Sequence, residues 1–320
     1  MYVIGRHVSK LSGYAPALPT PFDADGRIDC AAFERFCERQ VAEGATALVV
    51  CGTTGEAPTL SPAEHRKLIS IAASVARGRV PVVAGAGSNA TAHAIELTRD
   101  AEAAGADAIL SVVPYYNKPM QAGLDAHFRA IAGATGLPVI LYDVPSRTIT
   151  GLADDTVARL AEVPHIIGLK DATGDVTRPA RLRPLVGANF RLLSGDDATA
   201  SAFIAQGGDG CVSVTSNVVP GLCRSLFLRR RQGWPRAQPL AGPLAQLTSA
   251  LSRETNPAPL KYALSLLGLM SAKVRLPLVE PTLDTRREIK AALARVEECC
   301  ADYLVADARG RTERARAAAE

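Results

Sequence analysis

The sequence predicts a (β/α)8 TIM barrel with a C-terminal helical extension. Eight short apolar runs recur over residues 14–215. Each leads into a polar or glycine-rich turn, and segments between them carry apolar residues at helical spacing. The runs are continuous rather than alternating, as suits strands covered on both faces in a parallel sheet. Eight such units in about 210 residues fall near the usual size of this barrel.

The first run is YAPAL at 14–18, followed by helical spacing at Ala31-Ala32-Phe33, Phe36-Cys37 and Val41. ALVV at 47–50 opens into CGTTGE at 51–56; Ser61, three residues before Glu64, has the form of a capping box for a helix over His65 to Val75. VPVVAG at 80–85 precedes a helical segment from Thr91 to Ala103, and DAILSVV at 107–113 precedes one from Gly123 to Ala134. LPVILYD at 137–143 is followed by Asp154 to Ala161, and the last three runs are HIIGLK at 165–170, FRLLSG at 190–195 and GCVSVT at 210–215. A helix over 220–232 closes the barrel, giving a first domain of residues 1–232. Residues 233–305 read as helices broken by prolines at 235, 239, 243, 257 and 259, a small extension packed on the barrel, and 306–320 as a tail.

Composition narrows the function classes. Of 320 residues, 36 are basic and 32 acidic, a net +4 too balanced to argue for nucleic acid. The arginines at 224, 229–231 and 236 and at 309–316 read as a solvated helix face and a tail. Seven cysteines without a CxxC pair suggest reduced thiols in a cytoplasmic protein rather than a disulfide framework. No apolar run reaches the roughly twenty residues a membrane helix needs, and no signal-like segment opens the chain.

Chemistry in such a barrel sits where strands end. Lys170 poses the question most sharply, because an apolar strand runs straight into it; read alone, it is a strand-end lysine whose ammonium reaches water. The neighbouring ends change that reading. They carry Thr53 and Thr54, Tyr115 and Tyr116, Tyr142 with Arg147 nearby, Gly195, and the segment from Ser213 to Asn217. Any one of these could be structural: a turn, a packing aromatic, a core tyrosine, a loop charge. Together they place hydroxyls, phenols, one arginine and one lysine at one mouth. These types support imine formation, in which the lysine attacks a ketone while neutral. A phenol such as Tyr142 can relay protons and a threonine hydroxyl can carry them onward. Gly52 and Gly55 would free the loop to aim N–H groups at the carboxylate of a 2-keto acid. Arg147 can grip a second carboxylate through two parallel hydrogen bonds.

The motifs GTTGE (52–56), PYYNKP (114–119), YDVPSRT (142–148), GLKDATGD (168–175) and LLSGDD (192–197), with GGDGCVSVTSN (207–217) and NPAPLKYAL (256–264), stand in one order along the chain. This set resembles the dihydrodipicolinate synthase/N-acetylneuraminate lyase family of class I aldolases over residues 13–295. The resemblance implies that Lys170 forms an imine with pyruvate. It assigns Thr53 and the loop amides to the pyruvate carboxylate, and Thr54, Tyr142 and Tyr116 to a proton relay, with Tyr116 reaching in from a neighbouring subunit. Gly195 and Val212 line the pocket. Arg147 marks the branch that binds the carboxylate of L-aspartate 4-semialdehyde, so the implied reaction gives 4-hydroxy-tetrahydrodipicolinate, the entry to lysine biosynthesis. The implied assembly is a homotetramer of two tight dimers, and no metal or organic cofactor is implied.

Two departures from the family pattern stand out. Asp143 replaces an asparagine common in the family, next to the relay. The positions of the family's lysine-feedback pocket hold Pro58, Pro62, His65, Asn89, His93 and Tyr115 here. His93 stands where an acid would pair with the ligand's ammonium, and loss of such a partner costs about 2–5 kcal/mol, so feedback by lysine is expected to be weak or absent. Two other readings remain open at this stage. A sister aldolase or dehydratase acting on a sugar acid would depend less on Arg147, and a non-catalytic 2-keto-acid-binding barrel would not trap a covalent adduct.

Overall fold

The computed structural model describes residues 11–231 and 238–299. Its strands are β1 (Gly13–Pro16), β2 (Leu48–Val50), β3 (Val82–Gly85), β4 (Ala108–Val112), β5 (Val139–Asp143), β6 (Ile166–Asp171), β7 (Arg191–Ser194) and β8 (Gly210–Ser213). All eight fall on the apolar runs of the sequence. They form one parallel sheet in the order β1-β8-β7-β6-β5-β4-β3-β2. A parallel bridge between Ala17 and Val49, with Leu18 N–H donating to the Val49 carbonyl at 2.8 Å, brings the two ends together. The barrel expected from the sequence is present.

The runs lack alternation because both faces of every strand are buried. Leu48, Ile109, Leu141 and Leu169 face outward into a layer shared with helices α1 (Cys30–Ala42), α2 (Pro62–Ala76), α3 (Thr91–Ala103) and α4 (Gln121–Ala132). Val49, Val83, Leu110, Ile140, Tyr142, Leu193 and Val212 form a second cluster inside the barrel. Neighbours in one strand therefore go to different cores, as the two-residue strand period requires. Each Phe or Leu so buried contributes about 1.5–3 kcal/mol. Helix α2 starts at the predicted capping box: the Ser61 hydroxyl accepts from Glu64 N–H, and the Glu64 carboxylate accepts from Ser61 N–H.

The remaining helices are α5 (Pro145–Thr148), α6 (Asp154–Ala161), α7 (Arg178–Val186), α8 (Ala200–Ala205), α9 (Pro220–Arg231), α10 (Gln238–Leu251) and α11 (Ala258–Leu266), with a further helix over 283–299. Two results differ from the sequence reading. Helices α7 and α8 carry no clear apolar stripe in the sequence, since α7 is interrupted by Pro184 and α8 spans only six residues. The extension is also less helical than expected, because residues 267–282 form no helix; within them Arg275 bonds Glu64 in the first turn of α2 and the Gly26 and Thr59 carbonyls. The expected boundary at 232 and the tail at 306–320 lie outside the described residues.

Candidate active site

A cavity of about 620 Å³ opens at the C-terminal ends of the strands. Thr53, Thr54, Tyr142, Arg147, Lys170, Gly195 and Val212 all line it. Tyr116 does not: it is 87% exposed, away from the cavity of its own protomer. Its backbone is held at φ 74°, a left-handed conformation that bulky residues adopt only under constraint.

Lys170 is buried at the end of β6, with only 6% of its surface exposed. Its register partner on β5 is Tyr142, and its Nζ lies 3.9 Å from the centre of the Tyr142 ring. The face of the Tyr142 ring thus packs against the Lys170 amine, and both side chains line the cavity. Gly195, just beyond β7, permits this placement. A Cβ there would come within 3.0 Å of Lys170 Cε and 2.9 Å of Ala172 Cβ. Val212, buried in the neighbouring strand β8, also lines the cavity.

The Thr53-Thr54 loop follows β2. Its left-handed residues are Cys51 (φ 55°) and Glu56 (φ 56°), not the glycines on which the sequence reading relied. Gly55 serves close packing instead, since a Cβ there would stand 3.1 Å from Cys51 N and 3.2 Å from the Leu18 carbonyl. Thr20 Oγ1 donates to the Gly55 carbonyl at 2.7 Å, which fixes the bend. Thr54 is buried, and its hydroxyl accepts a hydrogen bond from Asn256 Nδ2 at 3.0 Å. Among the described residues, no hydrogen bond joins Tyr142 to Thr54 or to Lys170, so the three-membered relay is not closed within one protomer. Arg147 sits on α5, directly after β5, and is exposed at the rim, where its guanidinium can meet a carboxylate entering from solvent.

Asp143, one residue after Tyr142, points to the opposite side of the sheet. Its fully buried carboxylate accepts from Arg178 Nη1 at 2.8 Å and Leu152 N–H at 3.1 Å. The same Nη1 donates to Asp171 at 3.2 Å, and Arg178 Nε donates to Asp154 at 2.9 Å. Burial pushes the Asp143 carboxyl above the ordinary carboxylate range, against the pull of Arg178. It therefore does not act on the relay directly. Sequence reading missed Arg178, which is 3% exposed.

Two further groups belong to motifs the sequence singles out, LLSGDD and GTTGE, but have no role assigned there. Asp197 lines the cavity and accepts from the Ser213 hydroxyl, Val214 N–H (2.7 Å) and Thr215 N–H (2.9 Å), which ties the end of β7 to the turn after β8. Glu56, at the far end of the threonine loop, is paired with Lys261 of α11, Nζ to Oε1 2.7 Å, both side chains fully buried. Burial pulls the Lys261 ammonium down to about 8, against the opposing pull of Glu56. The motif NPAPLKYAL holds both Asn256 and Lys261, but no signal in it distinguishes them from helix-surface residues.

The matching family model is the dihydrodipicolinate synthetase family, over residues 10–296. A 4-hydroxy-tetrahydrodipicolinate synthase of Rhodospirillum centenum is 51% identical over 288 residues, covering 88% of this chain and 97% of that relative. The solved structure of the 4-hydroxy-tetrahydrodipicolinate synthase from Methylacidiphilum fumariolicum superposes with a TM-score of 0.89 at 42% identity, covering 92% of this chain and 98% of that one. The chloride-inhibited dihydrodipicolinate synthase from Acinetobacter baumannii, solved in complex with pyruvate, gives 0.86 at 42% identity, covering 89% and 99%.

Proposed function

The chain belongs to the dihydrodipicolinate synthetase family, and from that premise we propose that Lys170 carries out its chemistry: condensation of pyruvate with L-aspartate 4-semialdehyde, the 4-hydroxy-tetrahydrodipicolinate synthase reaction. The enzyme is a lyase of lysine and diaminopimelate biosynthesis. One observation carries the assignment of roles: a buried amine 3.9 Å from a tyrosine ring, at the floor of a cavity that also holds two threonines and an arginine.

Neutral Lys170 attacks C2 of pyruvate; the carbinolamine loses water to give the imine. Loss of a proton from C3 gives an enamine, whose C3 attacks the aldehyde carbon of the second substrate and forms the new C–C bond. The amino group of that substrate then displaces Lys170 from C2, closing the ring and freeing the enzyme. Thr53 and the loop amides hold the pyruvate carboxylate, Gly195 and Val212 shape its pocket, and Arg147 holds the carboxylate of the aldehyde. Thr54, Tyr142 and a partner's Tyr116 pass protons between the imine nitrogen, the carbinolamine oxygen and solvent. The exposed Tyr116 supports a tight dimer in which each copy lends this phenol to the other, and the assembly proposed is a homotetramer of two such dimers.

No helix among the described residues is long and apolar enough to cross a membrane, and we place the enzyme in the cytoplasm. Borohydride reduction with pyruvate, read by intact mass, tests the imine: the wild type should gain one adduct and Lys170→Ala none. An unmodified wild type would refute Lys170 as the nucleophile. A coupled assay with aspartate semialdehyde, set against a panel of sugar acids, tests the acceptor; Arg147→Ala should raise KM for the semialdehyde at least about tenfold.

A further inference from the structure

We propose that Arg178 is a positioning residue: its guanidinium, buried on the helix side of the sheet, ties the end of β5 to the end of β6 and so holds the Lys170 amine against Tyr142. The inference rests on the reading of Lys170 as the nucleophile that forms the imine with pyruvate. Tyr142 and Lys170 are each the last residue but one of their strands. Each is followed by a buried aspartate, and these two, Asp143 and Asp171, are register partners as well. Arg178 Nη1 donates to both, at 2.8 Å and 3.2 Å. Its Nε donates to Asp154 at 2.9 Å and its Nη2 to the Leu152 carbonyl, so the same group also fixes the chain where α6 begins. A planar fork holds several partners at set angles, which the point charge of a lysine cannot do.

The strand pair needs such a fastening. Val139 pairs with Ile166, but Ile140 pairs with Gly168, so β6 carries one residue more than β5 in this interval. A bulge of this kind bends its strand and re-aims the side chains beyond it. Backbone groups are alike at every residue, so the ladder alone does not say which face receives Lys170. A slip of one residue would turn Lys170 into the helix layer and Asp171 into the cavity. The guanidinium decides between the two registers. In the observed one it meets the Asp171 carboxylate; in the slipped one it would meet a second cation. The side chains of Arg178, Asp143 and Asp171 are all buried, so water does not soften that difference.

The test uses the full-length enzyme with Arg178→Lys, Asp143→Val, Asp143→Asn, Tyr142→Phe and the double variant Tyr142→Phe/Arg178→Lys, each checked by thermal melt to be folded at the assay temperature. Imine formation with pyruvate is followed by timed borohydride quench and intact mass. Arg178→Lys keeps the charge and loses the fork, and should lower the limiting rate at saturating pyruvate at least about tenfold. The pyruvate concentration that gives half this rate should stay within about threefold, because Arg178 acts on the reacting groups and not on binding. Asp143→Val cuts the link to β5 and should lose a similar amount, whereas Asp143→Asn keeps an acceptor oxygen for Nη1 and should recover most of the rate. In the Tyr142→Phe background Arg178→Lys should cost at most about threefold, as expected of a residue that acts by holding the phenol beside the amine. A wild-type rate in Arg178→Lys or Asp143→Val, an asparagine variant as slow as the valine one, or losses that multiply in the double variant would each overturn the inference. Should Arg178→Lys not fold, the two Asp143 variants, alone and in the Tyr142→Phe background, decide by the same criteria. A wild type that traps no adduct would instead remove the reading of Lys170 on which the inference rests.

Discussion

Tyr142 and Lys170 are register partners on β5 and β6, and so are the residues one step on, Asp143 and Asp171. The first pair faces the cavity. The second faces the helix layer, where Arg178 Nη1 donates to both carboxylates. One stretch of two strands therefore presents an amine and a phenol on one side and is locked by a buried ion cluster on the other. The alternation of a strand makes this arrangement compact: the lock is one residue from the chemistry yet outside it.

Gly195 is the tightest constraint on the amine. A methyl group at this position meets Lys170 Cε at 3.0 Å and Ala172 Cβ at 2.9 Å, and relief by shifting the lysine would misplace Nζ. Gly195→Ala should slow borohydride-trapped imine formation with pyruvate at least about tenfold, at a stability cost of about 1–3 kcal/mol. Trapping at the wild-type rate would show that the lysine stem has room to spare.

The buried carboxylate at 143 makes a pH prediction. Its folded-state pKa lies above the ordinary 3.8 because of burial. The folded chain then binds this proton more tightly than the unfolded one. The stability it contributes is full below the unfolded value and is lost as pH rises through the folded value. Asp143→Asn removes that loss while Arg178 keeps Asp171 and Asp154 as partners. The variant should exceed the wild type by about 1 kcal/mol near pH 7, and the gap should close as pH falls toward the ordinary carboxylate range. Thermal melts across that range decide; a variant less stable at neutral pH would show that the Arg178–Asp143 bond outweighs the burial.

Lys261 and Glu56 form a buried pair that holds the threonine loop to the extension. Lys261→Met leaves the Glu56 carboxylate buried with, among the described residues, only the Arg275 amide as a hydrogen-bond donor, and should cost about 3–5 kcal/mol. The double variant Glu56→Gln/Lys261→Met should recover most of the loss, since no unpaired charge remains. Denaturant titration of the three proteins is the measurement. A single variant as stable as the wild type would remove the pair from the loop's anchorage.

How far the sequence could be read depended on distance along the chain. Strand ends such as Lys170, Tyr142 and Thr54 were visible because a run of apolar residues stops at a polar one, a purely local signal. Arg178 was not. It lies in a segment with Arg181 and Arg183, and nothing local separates the 3% exposed arginine from the exposed Arg181 three residues on. Only the fold brings Asp143 to it from 35 residues away. Asn256 and Thr54 are 202 residues apart, and Lys261 reads as an ordinary helix lysine until α11 lands on the loop. The anion-binding role of the GTTGE loop was read from its glycines, yet the left-handed positions belong to Cys51 and Glu56; the tertiary clamp on Glu56 imposes a conformation that local propensity would not choose.

The feedback prediction concerns residues that do not line the cavity. His65 is buried, its Nε2 2.7 Å from the Gly85 carbonyl, and burial lowers its pKa. His93 is exposed beside Glu96 at 3.4 Å, and Pro62 opens α2. Neither histidine supplies the anion that would bind a ligand ammonium. Millimolar lysine should leave initial rates unchanged. Strong suppression by lysine would refute this reading of the pocket positions.

Tyr116 makes the last prediction, because its place in the chemistry depends on a second copy of the chain. It stands 87% exposed and outside its own cavity, so the relay proposed here needs a partner to deliver the phenol. Complementation separates the two possibilities. Tyr116→Phe keeps its own Lys170 but has no phenol to lend, whereas Lys170→Ala lends a phenol but has no nucleophile. Each homo-oligomer should be nearly inactive. Co-refolded at equal amounts, half of the tight dimers should be mixed and each mixed dimer should hold one complete site, so turnover should recover to about a quarter of the wild type. The mixture staying as inactive as its parents would place Tyr116 outside the neighbour's relay, and a fully active Tyr116→Phe homo-oligomer would remove it from the mechanism altogether.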